Sequence, residues 1–231
     1  MSKAMLAGLG AAGTGVGGLC VYQLSGSDES TKEITISISD LFKASQNKVL
    51  LTKTSDASDW NKAWVKYRDA NKEREADEWN ISGFSGKKTE ANAFQEFKDA
   101  CESKYSIKVR GAGDSNYRRV DDWCTRPKKI SELLESEGGI ELIPKDDSDN
   151  DWTASWKKYR DAHKEGQTNN YKNEDTWKIT SWSTDKANET LSTNFKTKCL
   201  EQVKQDVVKG KEDKLYGEVK NWCTRVKKVT G

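Results

Sequence analysis

Residues Ile38 to Glu73 return ninety-two positions later as Ile130 to Glu165, without a gap, and 15 of the 36 pairs are identical, among them D-W, K-Y-R-D-A and K-E. A chain that carries the same pattern twice must find a fold in which the same positions are buried twice. The match continues past this block at an offset of 98, pairing Trp79 with Trp177, Ile81 with Ile179, Phe84 with Trp182, Phe97 with Phe195 and Cys101 with Cys199. It closes at an offset of 99, where YRRVDDWCTRPKK from Tyr117 meets YGEVKNWCTRVKK from Tyr216. The expected organisation is an amino-terminal segment at 1–27, a linker at 28–37 and two units at 38–129 and 130–231. Each unit is long enough to bury a modest core.

Within each unit the apolar residues fall at helical spacing. Trp60, Ala63, Trp64, Tyr67 and Ala70 form one stripe, and Trp152, Ser155, Trp156, Tyr159 and Ala162 the other. Asp59 is placed at the first turn or cap of the first helix, where it complements the helix dipole. Two readings of the stripe compete. In the core reading Trp60, Trp64, Tyr67, Trp79, Phe97 and Trp123, with Trp152, Trp156, Tyr159, Trp177, Phe195 and Trp222, are buried, since each such ring removes about 150–250 Å² from water. In the platform reading the rings are exposed for a sugar or a partner protein. The core reading fits better. Lys66, Arg68 and Asp69, with Lys158, Arg160 and Asp161, lie around the far side of the helix, either solvated or as an ion-pair network between helices; the network is the expectation.

Further helices are predicted at Thr89 to Lys104 and Asn188 to Val208, and at Ser115 to Cys124 and Lys214 to Cys223. The second pair in the first unit ends before Pro127, because proline disfavours helix in the residue ahead of it. ISDL and ISEL read as helix starts, with Ser39 and Ser131 capping. EITISISD, Val49 to Leu51 and Ile140 to Ile143 are the strand candidates. The fold class expected is mainly α, two tandem homologous helical units with minor β, after an amino-terminal membrane helix.

Cysteine usage bears on location. Each unit holds two cysteines at matching places, Cys101 with Cys124 and Cys199 with Cys223, while Cys20 stands alone. One disulfide per unit fits an exported chain; four buried free thiols are the alternative. Between Lys3 and Asp28 runs an uncharged, glycine-rich stretch, Ala4 to Leu24, which as a helix of 21 residues would span about 30 Å. It reads as an uncleaved signal anchor, or as a secretory signal cut near Ser25 to Ser27, with a glycine-rich cytosolic loop as the bland alternative. Leu19 before Cys20 argues against a lipoprotein. Lys3 on one side and Asp28 and Glu29 on the other favour an inside amino terminus and an outside carboxy terminus. Gly13 and Gly17 have the G-x-x-x-G spacing, a weak signal in so glycine-rich a stretch.

Composition excludes more than it selects. Lys and Arg number 39 against 37 Asp and Glu, so there is no strong field for nucleic acid. Scattered cysteines and a single histidine do not make a zinc pattern. That histidine, His163, faces Asn71 in the first unit and reads as a surface helix residue. No G-x-S-x-G, Walker or H-E-x-x-H motif is present. No catalytic residue, metal or cofactor is therefore assigned, and the chain is not expected to be an enzyme.

The Lys3-x-x-x-AGLGAAG start, the glycine-rich segment, and the WCTRPKK and WCTRVKK endings resemble the paralogous families of uncharacterised exported proteins in haemotrophic mycoplasmas. The resemblance covers nearly the whole chain, but typical members look like one unit where this chain has two. It implies a membrane-anchored or secreted surface protein meeting host proteins or antibodies, with no family catalytic residues to transfer. A surface enzyme or accessory factor acting on host-derived molecules is the alternative, and an envelope scaffold a third.

Overall fold

The computed structural model describes residues 35–147 and 149–228. The segment Ala4 to Leu24 lies outside the described residues, as do Ser25 to Ser27, Asp28 and Glu29. Among the described residues no helix is long and apolar enough to cross a membrane.

The protein is mainly helical. The first half of the described chain runs β1 (Ile36–Ser37), α1 (Ile38–Ala44), β2 (Lys48–Leu50), α2 (Ala57–Asn71), α3 (Phe84–Lys87), α4 (Gln95–Lys104), β3 (Lys108–Val109), α5 (Ser115–Trp123) and β4 (Thr125–Pro127). The second runs α6 (Ile130–Glu135), β5 (Ile140–Leu142), α7 (Asp149–Ala162), α8 (Trp182–Asp185), α9 (Thr193–Gln202), a 3₁₀ turn at Gly210–Glu212, α10 (Lys214–Trp222) and β6 (Thr224–Val226). Buried side chains separate into two clusters that share no residue, one drawn from Ile38 to Cys124 and the other from Ile130 to Cys223.

The strands are short and antiparallel. β1 pairs with β3, β2 with β4 and β5 with β6, with Val49 opposite Arg126 and Glu141 opposite Arg225. Val49 to Leu51 and Ile140 to Ile143 thus find their partners in the T-R-P and T-R-V of the two unit endings. Directly after β4, Lys128 donates its N–H to Asn47 O at 2.8 Å while its own carbonyl accepts from Val207 N–H at 2.7 Å, and Lys129 bridges to Asp206. The second half's Ile130 and Ser131 amides go to Gln205 O and Val203 O, as Ile38 and Ser39 go to Ile107 O and Tyr105 O. One run of chain therefore ends the first half's β2–β4 pair and supplies the bridge that opens the second half.

Several local expectations need correction. α1 and α6 begin two residues earlier than capping by Ser39 and Ser131 would place them, so both serines are inside the helices. The cap of α1 is Ser37, whose hydroxyl accepts from Asp40 N–H at 3.1 Å. At α6, Glu132 turns back to accept Lys129 N–H at 2.8 Å. α4 and α9 are shorter than predicted, starting at Gln95 and Thr193, because the preceding residues form loops whose carbonyls serve buried indoles, as described below. Asp59 lies in the first turn of α2, whose cap is Asp56.

The four cysteines form two disulfides, Cys101–Cys124 and Cys199–Cys223, with Cα separations of 5.6 and 5.7 Å. Each ties the fourth helix of its half, α4 or α9, to the residue that ends the fifth, α5 or α10. In the chain-entropy model a loop of 23 or 24 residues closed this way restricts the unfolded chain by about 3–4 kcal/mol.

Candidate functional site

The aromatic stripe is interior. Trp60, Trp64, Tyr67 and Phe97 are buried, and so are Trp152, Trp156, Tyr159, Trp177 and Phe195. Burying an indole leaves its N–H needing an acceptor, and aligned carbonyls supply it. Trp60 Nε1 donates to Thr52 O at 3.1 Å and Trp152 Nε1 to Pro144 O at 2.9 Å. Trp64 Nε1 donates to Glu90 O at 2.9 Å and Trp156 Nε1 to Asn188 O at 3.1 Å. These are the loops that displace the starts of α4 and α9. Trp79, Trp123 and Trp222, expected to be buried, are half-buried. They close the edge of each core, Trp79 against Trp123 at 5.1 Å between centroids and Trp177 against Trp222 at 5.0 Å.

A buried polar unit sits beside the rings in each half. The hydroxyl of Tyr67 donates to Asp77 and that of Tyr159 to Asp175, both carboxylates being nearly inaccessible to solvent. Each phenolic oxygen also accepts a backbone N–H, from Trp79 and Trp177 at 3.1 Å. Each carboxylate accepts a second amide, Ile81 at 3.0 Å and Ile179 at 2.9 Å. Burial and then the carboxylate hydrogen bond push both phenols far above the ordinary tyrosine range. A phenol held protonated between a carboxylate and a fixed amide clamps the turn. The loop it holds passes through left-handed backbone at Asn80 (φ 51°) and at Lys178 (φ 52°).

His163 is not on the surface. It is 4% exposed and lies just past the end of α7. Its Nε2 accepts Thr176 N–H at 2.9 Å, which leaves the proton on Nδ1, donated to Tyr159 O at 2.7 Å. Asn71 does the same work in the first half: its Nδ2 donates to Tyr67 O at 2.8 Å and its Oδ1 accepts Glu78 N–H at 2.9 Å. Both side chains join the same pair of backbone groups, so the imidazole is structural. Sequence comparison paired the two positions but could not show that an amide and an imidazole span the same gap.

The charged set on the far side of the stripe does not form a network between helices. Arg68 bonds its neighbour Asp69 at 3.0 and 2.9 Å and the loop carbonyl of Glu90 at 2.7 Å. Asp161 is held by Lys157 at 2.5 Å and Lys164 at 2.8 Å, all within one stretch of chain. Arg160 is 5% exposed, and Lys66 and Lys158 have no salt-bridge partner among the described residues. Among the ion pairs that do link distant segments, those of the arginine of W-C-T-R recur in both halves. Arg126 lies 3.5 Å from Asp59 and grips Glu132 through both terminal nitrogens at 2.7 and 2.6 Å. Arg225 bonds Glu141 at 2.7 Å, Asp151 at 2.7 Å, and Asp147.

An open groove of about 660 Å³ runs along the outer face of α2. Its lining mixes apolar Val65 and Pro127 with Lys62, Lys66 and the acidic Asp59, and includes Asp206 from the second half. Such a surface suits contact with a chain or a glycan better than chemistry, since no nucleophile and base meet in it. Among the described residues no group of three or more His, Cys, Asp or Glu is placed to hold a metal ion. Compared with family models, curated proteins and solved structures, the chain finds no match.

Proposed function

We propose that this is an outward-facing surface protein of a bacterial cell, anchored by Ala4 to Leu24 or released after cleavage near Ser25 to Ser27, whose two copies of one ancestral module contact host proteins or antibodies. The observation that carries the reading is the pair of disulfides, one at the same place in each half, because such bonds persist in oxidising compartments. The uncharged amino-terminal stretch and the likeness to exported mycoplasma families support the same placement. The groove on α2 is the face this reading assigns to a partner. A surface enzyme has no constellation in its favour.

The test is protease shaving of intact cells, read with antibodies to the 38–228 region. The expected result is loss of that region from intact cells and pull-down of a host protein by the full chain. Protection until the cells are lysed would overturn the outward placement, and four free thiols in unreduced protein would remove its main support.

A further inference from the structure

The two halves differ most where six residues are added between Glu165 and Trp177 relative to Glu73 and Trp79. The added stretch folds back on itself: Lys164 bridges to Tyr171, Glu165 N–H reaches Asn170 O at 2.9 Å, and Lys172 N–H reaches His163 O at 2.9 Å. This lays the half-buried Tyr171 over Arg160, whose guanidinium carbon is 5.9 Å from the Tyr171 ring centre and 5.7 Å from that of Trp156. In the first half, the equivalent Arg68 is fully served by Asp69 and Glu90 O. Arg160 has lost both partners. Asp161 has been taken by Lys157 and Lys164, and Asn188 O by Trp156 alone. What remains is a long contact from Nη1 to the Tyr171 hydroxyl at 3.4 Å, and Nε has no hydrogen-bond partner.

A buried guanidinium without a carboxylate is a costly arrangement. Stacking on two rings offsets part of that cost. More positive charge gathers at the same tyrosine: Lys164 Nζ is 5.9 Å from its ring centre, and Lys186 Nζ meets only the carbonyls of Tyr171 and Lys172, at 3.5 and 3.2 Å. We propose that Arg160, Lys164 and Lys186 form a site for an oxyanion group, a phosphate, sulfate or carboxylate, with Tyr171 as its cover. Rotation of the tyrosine ring would admit the anion, which would replace the phenolic hydroxyl on the guanidinium and satisfy Nε. Planar guanidinium nitrogens suit such oxygens. The site belongs to the second half alone, and it stands apart from the surface-protein reading.

The experiment uses the full chain, titrated with sodium sulfate, phosphate or acetate against sodium chloride at matched ionic strength, and read by tryptophan fluorescence and thermal melting. A saturable response is expected with at least one oxyanion and none with chloride, and the ranking of the three names the group preferred. Tyr171→Ala should lower the half-saturating concentration by about tenfold, because the closed cover no longer competes. Arg160→Gln should abolish the saturable phase and Arg68→Gln should retain it. A response equal in Arg160→Gln and Arg68→Gln would reduce it to a general salt effect and overturn the site. Should Arg160→Gln fail to fold, Tyr171→Ala decides: no saturable phase in that variant also overturns the proposal.

Discussion

At the scale of single residues, the equivalence of His163 and Asn71 makes a sharp prediction. His163→Asn should change stability by less than about 0.5 kcal/mol, because the amide can span the gap that Asn71 spans in the first half. His163→Ala leaves the Thr176 N–H and the Tyr159 carbonyl without partners in the interior and should cost about 1–3 kcal/mol; urea denaturation of the three proteins measures both. Lys178 holds the left-handed conformation that Asn80 holds in the other half, and Asn tolerates it better. Lys178→Asn should therefore raise stability by about 0.5–1 kcal/mol in the same assay. Glu137 gives the pH dependence. Burial would raise its carboxyl, but hydrogen bonds from Lys220, Tyr216 and Lys211 outweigh burial and bring it from the usual 4.5 down to about 2. Its contribution is thus complete above pH 4.5 and is lost as the pH falls toward 2, a difference on the order of 3 kcal/mol. Glu137→Gln should flatten that part of the stability profile, as followed by acid titration of ellipticity.

At the scale of elements, the disulfides and the helices that they join were legible, because matched cysteines and a helical aromatic stripe both recur and each carries its physical reason on its face. Pairs of strands were half legible. Val49 to Leu51 and Ile140 to Ile143 show as apolar runs, but T-R-P and T-R-V show no alternation and become strands by pairing with β2 and β5 where α5 and α10 end. His163 was misread for a related reason: a lone polar residue at a helix end looks solvated until the loop from Asp175 closes over it. The W-C-T-R arginine was invisible as an organiser, since Glu132 and Glu141 take different places in the two alignments. Removing one bridge by Cys199→Ala with Cys223→Ala should lower stability by about 3 kcal/mol. The loss should be confined to the second core, as read by hydrogen exchange.

For the whole molecule, the two clusters share no side chain and meet through a strand and a few polar contacts, among them Asn47 Nδ2 to Val208 O at 3.2 Å and Lys129 to Asp206 at 2.5 Å. Phe97→Ala should cost about 3–5 kcal/mol and release the amides of 38–124 to exchange, while those of 130–223 stay protected. Exchange lost equally throughout would show the halves to be one cooperative body. The residues after Pro127 carry a consequence of their own. Lys128 and Lys129 are hydrogen-bonded to β2's neighbour on one flank and to the Asp206–Val207 stretch on the other, so the place where the repeat is divided on paper is a seam that neither piece can give up. Scissors placed at Lys129 would leave the trailing fragment without its first edge, and a flexible spacer spliced there would fray both fragments instead of freeing them.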